Sequence, residues 1–328
     1  MRMAVRWTPT RLPGSPTRIV TPAGGRARMT RCITEACRSP LPRHPEQRRS
    51  RPTAGIECRM SRERSRLHLT VLGKSPSWQD VGGACSGYLV QEGDFALLLD
   101  CGNGVFSKLR RFCDYVDVDA VLVSHLHADH FLDLVPFSYA LTYAPRQQPV
   151  PVAGWPGTEA PARPQLWAPV GAQDTLRQIV GCWGNEDLVE KAFELHEYDA
   201  PDELEVGPFR IRFCEVPHYM TTYAVDLSAN GSRLTYSSDC APNDDLVSFA
   251  RGTDMLLIEA TLPRPERTGV RGHLTPEEAG EHGRRALARR LVLTHYSDEL
   301  DADWARVQAG QAYGGDVELA REGAVYDL

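Results

Sequence analysis

Ser124-His125-Leu126-His127-Ala128-Asp129-His130 decides the reading of this chain. It places three imidazoles and a carboxylate within six positions, directly behind the apolar run Val118-Asp119-Ala120-Val121-Leu122-Val123. Side chains two apart in extended chain share a side, so a strand ending at Val123 aims His125 and His127 at one point. Asp129 and His130 then face a neighbouring point. Neutral imidazole and carboxylate are ligands of choice for divalent first-row metals, and crowding four of them is costly unless a cation offsets their desolvation. A single His on an apolar face is ordinarily a satisfied core residue; His-x-His-x-Asp-His after a strand points to metal.

Outward from this motif the chain reads as alternating strands and helices. Leu67 to Leu72 is expected as a strand, and Tyr88 to Val90 with Phe95 to Asp100 as a hairpin around Glu92-Gly93-Asp94. Gly104 to Phe112 and Phe131 to Tyr143 have helical spacing, and Val118 to Val123 reads as a buried strand. The Pro/Gly-rich stretch Pro145 to Pro164 is expected as a loop bordering the site. Gln165 to Trp167 and Ala172 to Cys182 resume regular structure, followed by strands at Phe209 to Val216, Tyr223 to Leu227 and Arg233 to Ser237, with Ala229-Asn230-Gly231 as a turn. Asp254 to Glu259 and Arg290 to Thr294 are apolar runs separated by a helix that opens on the capping box Thr275-Pro276-Glu277-Glu278. Two β-rich halves, each closed by helices, predict a four-layer α/β arrangement.

Composition bounds the rest. The 328 residues, 42% apolar, suffice for a large core. No apolar stretch approaches the roughly 20 residues that span a bilayer, and no apolar run follows the N-terminal Arg residues, so a cytoplasmic protein without a membrane partner is expected. Residues 1–66 hold 16 Arg and 4 Glu, a net +12, which leaves −18 on the remainder of a chain at −6. This Arg/Pro-rich tail has no sustained period and is expected to be disordered. Its scattered Arg residues without interleaved aromatics favour an unstructured extension, or a start placed too early with Met60 as the true one, over a nucleic-acid arm. The nine Cys form no Cys-x-x-Cys pair and read as reduced thiols.

Further candidate ligands stand where strands end: His218 after Phe213 to Pro217, Asp239 after Leu234 to Ser238, and His295 after Leu291 to Thr294, with His273 in the helix cap. Six of the ten His fall in these motifs, enough with the carboxylates for two metals. Asp100, closing Leu97-Leu98-Leu99-Asp100, is expected to orient a ligating imidazole.

With these motifs, residues 67–328 resemble the metallo-β-lactamase superfamily, and within it the phosphodiesterase branch that includes ribonuclease Z and cyclic-nucleotide phosphodiesterases. The resemblance rests on Ser-His-Leu-His-Ala-Asp-His, Pro217-His218, Tyr236-Ser237-Ser238-Asp239, Ile258-Glu259-Ala260-Thr261, Gly272-His273-Leu274-Thr275 and Leu293-Thr294-His295. It implies one αββα sandwich domain over 67–328. It also implies two divalent cations, Zn²⁺ or Mn²⁺, one on His125, His127, His218 and Asp239 and one on Asp129, His130, Asp239 and His295. Glu259 and His273 match the pair that marks the phosphodiesterase branch, with His273 near the leaving group. Only 20 residues separate His218 from Asp239, where ribonuclease Z carries its tRNA-gripping arm, and Tyr296-Ser297-Asp298-Glu299 replaces the expected Ser-x-Arg-Tyr. Ser238 and Cys240 replace the usual Gly and Thr around Asp239. The motif order and the closing Val317 to Leu328 look more like small actinobacterial cyclic-nucleotide phosphodiesterases.

The chemistry expected is phosphodiester hydrolysis by a metal-bridging hydroxide, with Asp129, His273 and Glu259 as the catalytic residues. A body at −18 is a poor surface for a long polyanion, so a small, cyclic nucleotide ranks ahead of RNA. The alternatives are a ribonuclease Z-like tRNA 3′-processing endoribonuclease, another ester hydrolase of this fold, an RNA-binding role of the tail, and a catalytically silent scaffold. The oligomeric state, a homodimer included, is left open.

Overall fold

A computed structural model of the chain describes residues 67–328. The expectations for the tail, residues 1–66, lie outside the described residues. Among the described residues, fourteen strands form two sheets of seven. The first runs β1 (His68–Gly73), β2 (Gly87–Glu92), β3 (Phe95–Leu99), β4 (Ala120–Leu122), β5 (Gln165–Pro169) and β6 (Glu194–Tyr198). The second runs β7 (Glu203–Val206), β8 (Phe209–Val216), β9 (Thr222–Ala229), β10 (Ser232–Tyr236), β11 (Met255–Glu259), β12 (Arg290–Thr294) and β13 (Glu318–Leu319). The C-terminal β14 (Val325–Asp327) returns to the first sheet and pairs antiparallel with β1, Leu69 opposite Tyr326.

The central strands, such as β3, β4 and β11, read as near-continuous apolar runs because both faces of each sheet are covered there. In β3, Leu97 and Leu99 enter the core between the sheets, while Ala96 and Leu98 face the helices on the outside. In β11, Met255 and Leu257 point inward against the first sheet, and Leu256 and Ile258 outward. The first sheet's outer face is covered by helices that include Leu134–Tyr143 and Ala172–Gly181, through Phe137, Leu141, Leu176 and Val180. Asp244–Phe249, Pro276–Arg285 and Ala302–Tyr313 cover the second through Leu246, Ala279 and Ala309. This is the expected αββα sandwich. Each fully buried Leu in these layers contributes roughly 1.5–3 kcal/mol.

Three local devices place the chain as read. The turn Ala229-Asn230-Gly231 has φ of 51° at Asn230 and 90° at Gly231, as a tight hairpin requires. The capping box forms, with Thr275 Oγ1 accepting from Glu278 N and the Glu278 side chain accepting from Thr275 N. The helix expected over Phe131–Tyr143 is instead two, Ala128–Phe131 and Leu134–Tyr143. The break has a cause: Asp133 donates its N–H to Cys101 O at 3.0 Å, and its carboxylate accepts from Phe106 N at 2.9 Å. The helix expected over Gly104–Phe112 is likewise shorter, Val105–Leu109. Among the described residues no helix is long and apolar enough to cross a membrane.

Candidate dinuclear metal centre

β3, β4 and β5 run parallel, as do β10, β11 and β12, and the carboxyl ends of both sets carry the candidate residues. Crevices at such strand ends are where α/β sheets bind ligands. Asp100 follows β3, His125 to His130 follow β4, His218 follows β8, Asp239 follows β10, Glu259 ends β11 and His295 follows β12. Three of these strand exits turn through left-handed backbone on residues other than Gly: Asp100 (φ 60°), Ser238 (φ 53°) and His295 (φ 52°). Such positions cost roughly 1–3 kcal/mol each and concentrate at functional sites.

All seven candidate ligands converge. His127 Nδ1 lies 3.1 Å from His125 Nε2 and 3.0 Å from His218 Nε2, with Asp239 Oδ2 3.8 Å from His125 Nε2. Beside this group, Asp239 Oδ2 is 3.4 Å from both His130 Nε2 and His295 Nε2, and Asp129 Oδ2 is 3.2 Å from His295 Nε2. The two groups, His125/His127/His218/Asp239 and Asp129/His130/Asp239/His295, could each hold a metal ion and share Asp239. His125, His130, Asp239 and His295 are buried.

The outward-facing ring nitrogens settle which tautomers converge. His130 Nδ1 donates to Asp100 Oδ2 at 2.7 Å, His218 Nδ1 to Gly272 O at 2.7 Å and His295 Nδ1 to Thr261 Oγ1 at 2.8 Å. His125 Nδ1 lies 3.2 Å from Ser124 Oγ, which itself donates to Asp100 Oδ2. With the outer nitrogens of these four rings so engaged, the inner nitrogens are the ones that would offer lone pairs to a cation, as metal ligation requires. His127 Nδ1 stands 3.1 and 3.0 Å from the inner nitrogens of His125 and His218 and carries at most one proton to share with them, so the remaining close lone pairs repel unless a cation lies among them. Among the described residues, buried His130 Nε2 and Asp239 Oδ1 have no hydrogen-bond partner. Such orphans are costly in a protein interior, and both belong to residues of the shared cluster, where a cation would offset the cost.

Electrostatics agrees with the donor set. Burial, then the charges of neighbouring imidazoles, pushes His125 well below its ordinary range, and burial likewise lowers His127 and His218. Burial works against the Asp239 charge, yet His295 and His130 hold its carboxyl well below the usual range. Asp129 is lowered too, His130 and His295 outweighing its burial. For His130, burial is overcome by Asp239 and Asp100, and the imidazole is raised. Three carboxylates around one buried ring call for positive charge, which a divalent cation supplies when it displaces that proton.

Glu259 and His273 form a pair beside the second cluster. His273 Nδ1 lies 3.1 and 3.3 Å from the two Glu259 oxygens, and its ring stacks on His295 with centroids 5.6 Å apart. Buried Glu259 also accepts Cys240 N at 2.6 Å and Leu274 N at 3.2 Å, locking the carboxylate. Burial opposes a charge on His273, but Glu259, then Asp239 and Glu266, raise it to about 9. A cavity of about 260 Å³ opens on this face, lined by Pro76, Ser77, Tyr219, Thr261, His273 and several of the candidate ligands.

Some features escaped the sequence reading. Thr261 Oγ1 joins His295 Nδ1 to Glu259 Oε2, and Ser124 and Tyr236 both donate to Asp100 Oδ2. Tyr219 lines the cavity. The Pro145–Pro164 loop, expected at the site, contributes no lining residue to this cavity. Its Arg146, Gln147, Trp155 and Thr158 line a different cavity of about 500 Å³, together with Val116.

A profile of the Beta-lactamase superfamily domain matches residues 96–296, the span that holds every candidate residue above. The chain belongs to this superfamily. Its superfamily relatives include the probable metallo-hydrolase YhfI of Bacillus subtilis, 28% identical over 266 residues that cover 80% of this chain and 100% of that protein. The crystal structure of YhfI superposes with a TM-score of 0.69 at 25% identity, over 80% of this chain and 100% of YhfI. The ribonuclease Z of Myxococcus xanthus is 28% identical over 302 residues, 80% of this chain and 98% of that enzyme. The human short-form tRNase Z shares the fold with a TM-score of 0.60 at 21% identity, over 79% of this chain and 98% of that one. The protein is an enzyme, a metallo-hydrolase of the superfamily fold.

Proposed function

We propose that this hydrolase cleaves a phosphodiester in a small nucleotide, a cyclic nucleotide foremost, with two divalent cations, Zn²⁺ or Mn²⁺, on the two clusters that share Asp239. The observation that carries this reading is the Glu259–His273 pair, joined at 3.1 Å on the wall of a cavity that Asp129, Asp239 and His295 also line. At about 260 Å³ that cavity is at the small end of ligand pockets, which usually run from about 300 to 1,000 Å³.

His125, His127, His218 and Asp239 would hold one cation, and Asp129, His130, Asp239 and His295 the other. Bound there, divalent cations neutralise phosphoryl charge and acidify a water to a pKa of about 7. In this reading Asp129 would orient that water and accept its proton. His273, its Nδ1 proton held by Glu259, delivers the Nε2 proton to the departing alkoxide, a role usually worth about 10² to 10⁴ in rate. The water oxygen bonds to phosphorus, the ester P–O bond breaks, and the proton lost by the water is matched by the one the alcohol gains. The reading places the site in one domain, residues 67–328, and gives the tail no part in it.

A second reading, tRNA 3′-end processing, has one observation in its favour besides the ribonuclease Z relatives. The segment between Thr261 and His273 exposes Arg264 and Arg267, which form no ion pair with a described residue and are free to meet phosphates. Against it, the segment between His218 and Asp239 is filled by β9, β10 and their tight turn. Turnover of 3′,5′-cyclic AMP, 2′,3′-cyclic nucleotides and precursor tRNA on one metal-loaded preparation separates the two. The highest kcat/KM is expected on a cyclic nucleotide. A higher value on precursor tRNA transfers the assignment to the second reading, and hydrolysis of none of them overturns both.

A further inference from the structure

Tyr219 stands at the mouth of the cavity in an unusual state: 51% exposed, yet held from two directions. Its hydroxyl donates to Glu266, whose other oxygen accepts Gly272 N at 2.9 Å. Its ring lies against the backbone of Gly272, where an added Cβ would fall 2.4 Å from Cζ and 2.5 Å from Cε2. The ring centroid is 4.8 Å from that of His218 and 5.7 Å from that of His273. Only Gly at position 272 leaves room for this arrangement.

An exposed Tyr ordinarily keeps its rotamer freedom, and ordering it on binding costs affinity; here that ordering is already done. A held ring with its centroid 5.7 Å from that of His273, the proposed proton donor, suits a planar group attached close to the phosphate. Charge recognition alone would not use such a face. Apolar alcohols of no fixed shape would gain little from it, whereas every nucleobase has a π-face to stack.

We propose that Tyr219 is the base platform of the site, a specificity-determining residue that selects diesters bearing a nucleobase over those without one. The inference rests on the phosphodiesterase reading for its substrate and deepens it. Gly272 serves it as a positioning residue: its bare backbone makes the space in which the ring is seated, an arrangement that a Phe ring at 219 would keep.

The test compares 3′,5′-cyclic AMP with the base-free analogue 1-O-methylribose 3′,5′-cyclic phosphate on the full-length, metal-loaded chain. Because both compounds use the same metals, the ratio of their kcat/KM values cancels any disturbance of His218 next door. Tyr219→Ala is expected to lower that ratio about tenfold to a hundredfold, mainly through KM for cyclic AMP, as loss of one base stack predicts. Tyr219→Phe keeps the ring and is expected to hold the ratio within about threefold. Calorimetric binding of AMP against ribose 5-phosphate is expected to show the same loss of preference in Tyr219→Ala. An unchanged ratio in Tyr219→Ala overturns the proposal, as does an equal fall in Tyr219→Phe, which would assign the effect to the hydroxyl. If the wild type hydrolyses neither compound but prefers AMP through Tyr219, the hydrolytic reading fails and the base platform stands. Absence of both hydrolysis and that preference sinks both.

Discussion

Thr261 Oγ1 lies 2.8 Å from His295 Nδ1 and 2.7 Å from Glu259 Oε2, so one hydroxyl couples a candidate metal ligand to the carboxylate that holds His273. It accepts from the imidazole and donates to the carboxylate. Thr261→Val preserves shape and removes both bonds, leaving the outer proton of His295 without its acceptor. The expected result is a loss of about 10- to 100-fold in affinity at the Asp129/His130/Asp239/His295 cluster, with Thr261→Ser close to wild type. Competition titration against a fluorescent chelator measures it. Wild-type affinity in Thr261→Val would mean that the hydroxyl only fills space.

Asp100 is a buried carboxylate with four donors: His130 Nδ1 at 2.7 Å, Ser124 N at 2.7 Å, Ser124 Oγ at 2.9 Å and the Tyr236 hydroxyl at 3.1 Å. Asp100→Asn replaces an acceptor oxygen by an N–H that faces these donors. Denaturant unfolding of the metal-free protein should show a loss of at least about 2 kcal/mol, since hydrogen bonds to a buried charge are worth roughly 1.5–3 kcal/mol each. Unaltered stability would place the weight of this network elsewhere.

The approach of Gly102 to the ligand helix is equally exposed to test. A Cβ at Gly102 would sit 1.8 Å from the Asp129 carbonyl oxygen, and Cys101 N already donates to His130 O at 2.7 Å. Gly102→Ala therefore has to push Ala128–Phe131 away, and Asp129 and His130 move with it. A lowered Tm, together with weakened metal binding in calorimetry, is the expected outcome; an unshifted Tm would contradict the close packing. The cost should reach the about 1–3 kcal/mol typical of overpacking.

The Glu259–His273 pair gives a pH signature in the metal-free protein. His273 is raised from 6.5 to about 9 by Glu259 against the effect of burial. Its folded value exceeds its unfolded one, so the stability it contributes is fully present below about pH 6.5 and is lost as the pH rises through about 9. Glu259→Gln should bring the His273 titration, followed by ring-nitrogen NMR, down toward or below 6.5 and flatten that slope. Titration of wild-type His273 near its ordinary value would break the coupling.

The convergence of this candidate site was legible where residue type and spacing carry the information, and illegible where a distant partner does. His125, His127, Asp129 and His130 announce themselves because few other purposes crowd such groups. His218, Asp239 and His295 could be read from the strands they follow. Thr261 and Ser124 could not: a hydroxyl is common, and its meaning comes from partners 34 residues away in one case and 24 in the other. The fold divides the same way. β11 and β12 are buried on both faces and stand out as apolar runs, whereas β6 and β7, with Glu194, Glu197, Glu203 and Glu205 exposed, carry a diluted pattern. The helix Ala302–Tyr313 buries only Ala305 and Ala309, too little to mark a stripe. The Pro145–Pro164 loop shows the limit of composition, which predicts a loop but not which cavity it lines.

The measurement closest to the central claim is phosphodiester hydrolysis by the full-length chain, followed as Zn²⁺ or Mn²⁺ is added stepwise to metal-free protein. Two clusters sharing Asp239 predict a rate that stays low through the first equivalent and reaches its plateau at two per chain. A plateau at one equivalent, or a fully loaded protein without hydrolysis, would contradict the account.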